Sequence, residues 1–182
     1  AVILSPATLD PIIEEISKKY NIDSALIRGI IKKESDWDVN ASRFEAHKTD
    51  ASWGLMQVML ATGRSVLNNP NLTTTQLIQP RVNIESGTKL MAENWNRWGN
   101  LPDAIAAYNA GSPRLGKDGK YVNKSYVDKV LANYEMYKKL GTTAGNVAIN
   151  VREAATSEEA VPLYVLFGLG TIALVLASRS ET

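Results

Sequence analysis

Eighteen consecutive residues without a charge, VPLYVLFGLGTIALVLAS at 161–178, impose the first constraint on this chain of 182 residues. As a helix the run would span roughly 27 Å at about 1.5 Å per residue, close to the ~30 Å hydrocarbon core of a bilayer. Only Tyr164, Thr171 and Ser178 carry polar side-chain atoms in it. A core helix in so small a domain would keep a polar face, so the composition predicts one transmembrane helix at 161–178, short and interrupted by Gly168 and Gly170. Residues 141–160, rich in Thr, Ala, Gly and Glu, read as a linker or a weak amphipathic segment, and 179–182 as a tail. That leaves 1–140 as the folded domain. Glu153, Glu158 and Glu159 precede the run and Arg179 follows it, which places the C-terminus on the cytoplasmic side and the large domain outside. The start, Ala1-Val-Ile-Leu-Ser, lacks a basic segment and is not expected to be a signal peptide.

Residue counts restrict the chemistry. There is no cysteine, which excludes disulfide frameworks, thiol nucleophiles and thiolate metal sites. The single histidine, His47, excludes a multi-histidine metal site and leaves no credible Ser-His-Asp arrangement. Lys and Arg number 20 against 19 Asp and Glu, with no basic stretch of the kind that binds nucleic acid. No metal, cofactor or direct nucleic-acid contact is therefore expected, and any chemistry rests on carboxylates, hydroxyls, amides or lysines.

Within 1–140 the signals are helical and strand signals are few, so the fold class is mostly α. Leu9, Ile12, Ile13, Ile16 and Tyr20 recur at helical spacing over 9–20, and Asp10-Pro11 suits a first turn. Asp23 is the expected N-cap of a second helix, from Ser24 to about Asp36. Further helices are expected at 55–67, 84–98, 102–110 and 126–140, punctuated by Pro80, Gly99, Gly111 and the glycines at 116 and 119.

The second of these helices holds the most informative residue. At about 100° per residue, Leu26, Ile27, Ile30 and Ile31 form one apolar stripe roughly 140° wide, and Glu34 falls near its middle. A core-facing carboxylate is costly unless paired or neutral. Two readings follow. Glu34 in the last turn bends out to water or meets a core arginine, or desolvation raises its pKa and it serves as a general acid.

Three pieces in order sharpen the choice: Glu34-Ser35, then Gly54-Leu55-Met56-Gln57-Val58, then Ala106-Ala107-Tyr108-Asn109-Ala110-Gly111. Together they resemble the lytic transglycosylase family with a lysozyme-like fold, and goose-type lysozymes are similar in the first two. Asn83-Ile84 with Gly87 resembles the family's middle helix, and Tyr126-Val127 the start of its last one. The resemblance covers residues 21–137. It implies that Glu34 is the catalytic acid, that Met56 and Gln57 line a glycan cleft, and that the Tyr108 hydroxyl and Asn109 amide face the carboxyl and the sugar. Arg43 stands near a position where the family commonly has a small hydroxyl residue, and Ser52 is expected to take over that polar role.

The activity so implied is cleavage of the β-1,4 bond between MurNAc and GlcNAc in peptidoglycan, with a 1,6-anhydro-MurNAc end as product and Glu34 as sole acid and base. The implied partners are peptidoglycan glycan strands, a lipid membrane through 161–178, and other virion or envelope proteins. A membrane-anchored enzyme facing the cell wall, in a bacteriophage virion membrane or a bacterial envelope, fits this set. Two alternatives stay open. One is a muramidase on the same fold, with Asp50 the first candidate among Asp36, Asp38, Glu45 and Asp50 to position water; the other is a non-catalytic membrane-anchored structural protein. Among the tryptophans, Trp37, Trp53, Trp95 and Trp98 offer faces for sugar stacking, although Trp95 and Trp98, three apart on one helix, are expected to pack the core. The basic loop with Arg114, Lys117, Lys120 and Lys124 reads as a solvated surface or as a contact for murein stem peptides.

Overall fold

In a computed structural model, which describes residues 6–45, 50–156, 166–167 and 170–171, the chain divides into two compact units, Ala1–Lys139 and Leu140–Thr182. The first unit is built on helices, as expected. Helix α1 (Pro6–Tyr20) buries Leu9, Ile13 and Ile16, and α2 (Ser24–Glu34) buries Leu26, Ile27, Ile30 and Ile31, all at 2% exposure or less. Each such aliphatic side chain contributes about 1.5–3 kcal/mol on leaving water. Asp23 caps α2, its carboxylate accepting from the Ala25 amide at 2.8 Å. Arg28, on the flank of α2, donates to Asp10 and Glu14 of α1 at 2.7 and 2.9 Å.

Helix α2 ends at Glu34, two residues short of the expected boundary. Ser35 turns the chain there: its hydroxyl donates to the Leu55 carbonyl at 2.8 Å, and Asp36 and Trp37 follow at φ 51° and 70°. A small antiparallel sheet comes next, of β1 (Ser42–Glu45), β2 (Asp50–Trp53) and β3 (Val58–Met59), with Ser42 opposite Trp53 and Ser52 opposite Met59. Strands of two to four residues are too short to show alternation in sequence. The helix expected at 55–67 begins only at Leu60, as α3 (Leu60–Val66), because Gly54-Leu55-Met56-Gln57 forms a turn with Gly54 at φ 74° and Gln57 at φ 47°.

A short α4 (Thr74–Leu77), closed by a reciprocal Thr73–Gln76 capping box, was not anticipated. The long α5 (Pro80–Trp98) starts earlier than the apolar pattern suggests, with Pro80 in its first turn, and stops at Gly99. Helix α6 (Leu101–Ala110) is capped by Asn100, which accepts from the Asp103 amide at 2.9 Å, and stops at Gly111. The last helix, α7 (Lys124–Thr156), enters the core with Val127 and Val130 and continues through the stretch read as linker or weak amphipathic segment.

Within 161–178 the structure describes only Leu166–Phe167 and Gly170–Thr171, and these form two short antiparallel strands, β4 and β5, where a helix is expected. The other positions of the run lie outside the described residues, as do His47 and Lys48. Among the described residues, no helix is long and apolar enough to cross a membrane.

Candidate active site

Helix α2 delivers its last residue to the wall of a cleft of about 390 Å³. The apolar stripe fixes the rotation of the helix, so a residue three or four positions beyond Ile30 and Ile31 is directed inward at its end. Packing against α7 fixes the translation: Asn133 donates to the Gly29 carbonyl at 3.2 Å, and Tyr134 donates to Asp23 at 2.9 Å. Burial, and then the bond to Asp23, push the Tyr134 phenol up to about 12.

Beside Glu34 stands Tyr126, from the first turn of α7, whose hydroxyl donates to Glu34 Oε1 at 2.6 Å. Burial first, then the neighbouring Glu34 and Tyr108, hold the Tyr126 phenol well above its ordinary value, while the Arg43 charge pulls the other way. Tyr108 donates to the Met56 carbonyl at 2.9 Å, and it too is raised well above the ordinary value, by burial and then by Glu34. Both phenols therefore keep their protons at neutral pH and act as donors toward this corner.

Asn83 organises the opposite wall from the core. Fully buried in α5, it accepts from the Met56 amide at 2.7 Å and donates to the carbonyls of Trp53 and Leu77 at 2.8 and 3.1 Å. A Cβ on Gly54 would come within 2.6 Å of the Asn83 amide nitrogen, and the positive φ disfavours a side chain there in any case. Gln57, at the end of this turn, accepts from Ser52 at 2.9 Å and donates to the carbonyls of Ala41 and Gly54 at 3.0 and 2.9 Å.

Five of the six residues singled out by the resemblance line this one cleft: Glu34, Ser52, Gln57, Tyr108 and Asn109. Met56 does not. Its side chain is fully buried against Gly87, where an added Cβ would lie 2.6 Å from its sulfur, so it supports the cleft from beneath and contributes only its backbone to the wall's bonding. Gln57 has its amide engaged by the protein on both sides, and Asn109 accepts from Asn123 at 3.0 Å. The cleft also takes in Arg43 of β1 and Glu93, Asn94 and Arg97 of α5.

Of the carboxylates weighed as a second acid, Asp36 is exposed and paired with Lys32, and Asp50 accepts from its neighbour's amide, Ala51, at 2.7 Å. Neither is among the cleft-lining residues, whereas Glu93 is. Among the described residues, no tryptophan lines the cleft. Trp37 is buried and donates to Tyr137 at 3.1 Å, while Trp95 is exposed on α5 and does not join the core as expected. Tyr126 is the neighbour of Glu34 that residue patterns left unassigned. Its partner lies 92 positions away, and no local spacing rule links the two. Among the described residues no group of His, Asp and Glu could hold a metal ion.

Residues 11–130 match the family model for the transglycosylase SLT domain, and the chain belongs to that family. A transglycosylase of Enterobacteria phage PRD1 is 32% identical over 120 residues, which cover 66% of this chain and 40% of the phage protein. Invasion protein IagB of Salmonella typhi is 26% identical over 140 residues, 75% of this chain and 83% of that one. Among solved structures, an inactive mutant of the lytic transglycosylase Slt from Pseudomonas aeruginosa superposes with a TM-score of 0.60 at 25% identity, over 75% of this chain and 25% of its own. The 70-kDa soluble lytic transglycosylase in complex with bulgecin A shares the fold, with a TM-score of 0.59 at 22% identity. The chain thus spans less than half of the phage transglycosylase and a quarter of the Slt chain.

Proposed function

We propose that the chain is a peptidoglycan lytic transglycosylase that cleaves the β-1,4 bond between MurNAc and GlcNAc and leaves a 1,6-anhydro-MurNAc end. The observation that carries this reading is Glu34 on the wall of a cleft that Tyr108 and Asn109 also line, with the Tyr126 hydroxyl donating to it at 2.6 Å. One carboxyl oxygen accepts from the Tyr126 hydroxyl, and in this reading the carboxyl begins the cycle protonated. Glu34 gives that proton to the glycosidic oxygen as the C1–O bond breaks, and GlcNAc leaves with a new 4-hydroxyl. The carboxylate then takes the proton of the MurNAc C6 hydroxyl while that oxygen bonds to C1. Glu34 ends as it began, and no water is consumed. Tyr126, neutral throughout, stabilises the carboxylate between the two transfers.

The experiment is the release of soluble fragments from purified peptidoglycan by the wild-type chain and by Glu34→Gln. Release by the first alone supports the reading, and equal release by both contradicts it. The hydrolytic alternative has one specific observation in its favour, Glu93 in the same cleft.

Membrane anchoring belongs to the same proposal. It rests on the uncharged run 161–178, and it places the SLT domain against the wall, in a virion membrane or a bacterial envelope. The phage and Salmonella relatives are consistent with either setting. Flotation of the full chain with vesicles, and its loss when 161–178 is deleted, is the corresponding test.

A further inference from the structure

Two arginines reach the cleft from separate elements, Arg43 from the edge strand β1 and Arg97 from the last turn of α5. Both are exposed, and neither guanidinium forms an ion pair or a hydrogen bond with any described residue. Arg97 rests over the Trp98 ring at 5.2 Å, while Arg43 lies near enough to Tyr126 to bias its phenol. Elsewhere on this unit, Arg28 and Arg81 are bound to carboxylates and Arg64 donates to the Leu72 carbonyl, while Arg114 is exposed in the loop after α6. Arg43 and Arg97 are the two arginines on the wall of the cleft, where each is available to a ligand's anion.

N-acetylated sugar rings are neutral and call for amides, hydroxyls and apolar faces. A guanidinium fork matches a carboxylate, which it binds through two parallel hydrogen bonds. On the peptidoglycan reading, on which this inference rests, the substrate supplies carboxylates from two sources, the muramoyl lactyl group and the stem peptide. We propose that Arg43, assisted by Arg97, binds a substrate carboxylate and so makes the cleft selective for muramoyl glycan over uncharged polymers of GlcNAc. Glu93, one turn before Arg97 on the same helix and also on the wall, opposes an anion at that end and leaves Arg43 the stronger of the two.

The test is binding to the full chain carrying Glu34→Gln, so that turnover does not consume the ligand, with and without Arg43→Gln. Three ligands serve: chitohexaose, glycan strands stripped of peptide by an amidase, and peptide-bearing uncross-linked strands. Loss of one charge-assisted bidentate contact is expected to weaken binding of a carboxylate-bearing strand by about tenfold. Chitohexaose affinity is expected to stay within about twofold, Arg43→Lys to recover part of the loss, and Arg97→Gln to show a smaller loss of the same kind. A loss on the stripped strand as well as on the peptide-bearing one assigns the contact to the lactyl carboxylate. A loss on the peptide-bearing strand alone assigns it to the stem peptide. Unchanged binding of both strands in Arg43→Gln, or an equal fall for chitohexaose, would overturn the inference while leaving the peptidoglycan reading intact. Failure of the chain with Arg43 in place to bind any strand would remove that reading and the inference with it.

Discussion

The cleft has two sides that are held by different means. On one side, Glu34 is placed by a regular helix whose buried stripe and packing against α7 determine where its last residue falls. On the other, the turn from Gly54 to Gln57 has no periodic structure, and a handful of polar contacts from Asn83, Ser52 and Ala41 fix its path. The helix side distributes its stability over many apolar contacts, so no single polar group determines the position of Glu34. The turn side concentrates it in a few polar bonds, three of them made by the buried Asn83 amide. Glu34 thus sits on the redundant element, while the shape of the Gly54–Gln57 wall depends on a few bonds.

Substitutions can separate the two sides. The largest effect is expected for Glu34→Gln, which keeps the helix and removes the proton: turnover should fall by about 10²–10⁴-fold with thermal stability unchanged. Measuring release rate and melting temperature on the same preparation checks both parts. Next comes Asn83→Ala, which leaves α2 untouched and orphans the Met56 amide and the Trp53 and Leu77 carbonyls. A loss of about 3 kcal/mol in denaturant unfolding is expected, with activity falling as the turn loosens. A neutral outcome would mean that the remaining bonds, from Ser35, Gln57 and Tyr108, hold the turn without Asn83.

Tyr126→Phe removes the hydroxyl that meets Glu34 while preserving the ring, and a fall of about tenfold in turnover is expected. The same substitution tests a pH dependence. Tyr108 and Tyr126 are raised well above the 10.0 at which tyrosine ordinarily ionises, so the folded state holds these protons more tightly than the unfolded chain. Their contribution to stability is complete below about pH 10 and is lost as pH rises above it toward the folded-state values. Chemical denaturation between neutral pH and alkaline conditions should show that decline, and Tyr126→Phe should make it shallower. The smallest effect is expected for Glu93→Gln. If Glu34 works alone, turnover stays within about twofold, whereas a loss comparable to that of Glu34→Gln would assign Glu93 the role of a second catalytic carboxylate.

The same contrast explains what residue patterns could and could not convey. Helix α2 was legible because Leu26, Ile27, Ile30 and Ile31 repeat at helical spacing and Asp23 caps them, and Glu34 stood out as a carboxylate on that stripe. The three-stranded sheet was not, since two- to four-residue strands carry no readable alternation, and the extended helix assigned to 55–67 absorbed a turn that Gly54 and Gln57 make at positive φ. Met56 was placed on the cleft from its motif, yet the absent side chain of Gly87 leaves a socket that buries it. Tyr126 was visible as the start of a helix, but its bond to Glu34 depends on how α2 and α7 pack, which local pattern does not encode.

The central claim is that Glu34 serves as both acid and base, with the substrate's own C6 hydroxyl in place of water. Mass spectrometry of the fragments released from purified peptidoglycan tests it most directly. The account predicts muramoyl ends one water lighter than the reducing form, absent when Glu34→Gln replaces the wild-type chain. Fragments with reducing ends, released by the wild-type chain from the same material, would contradict it and make the enzyme a hydrolase.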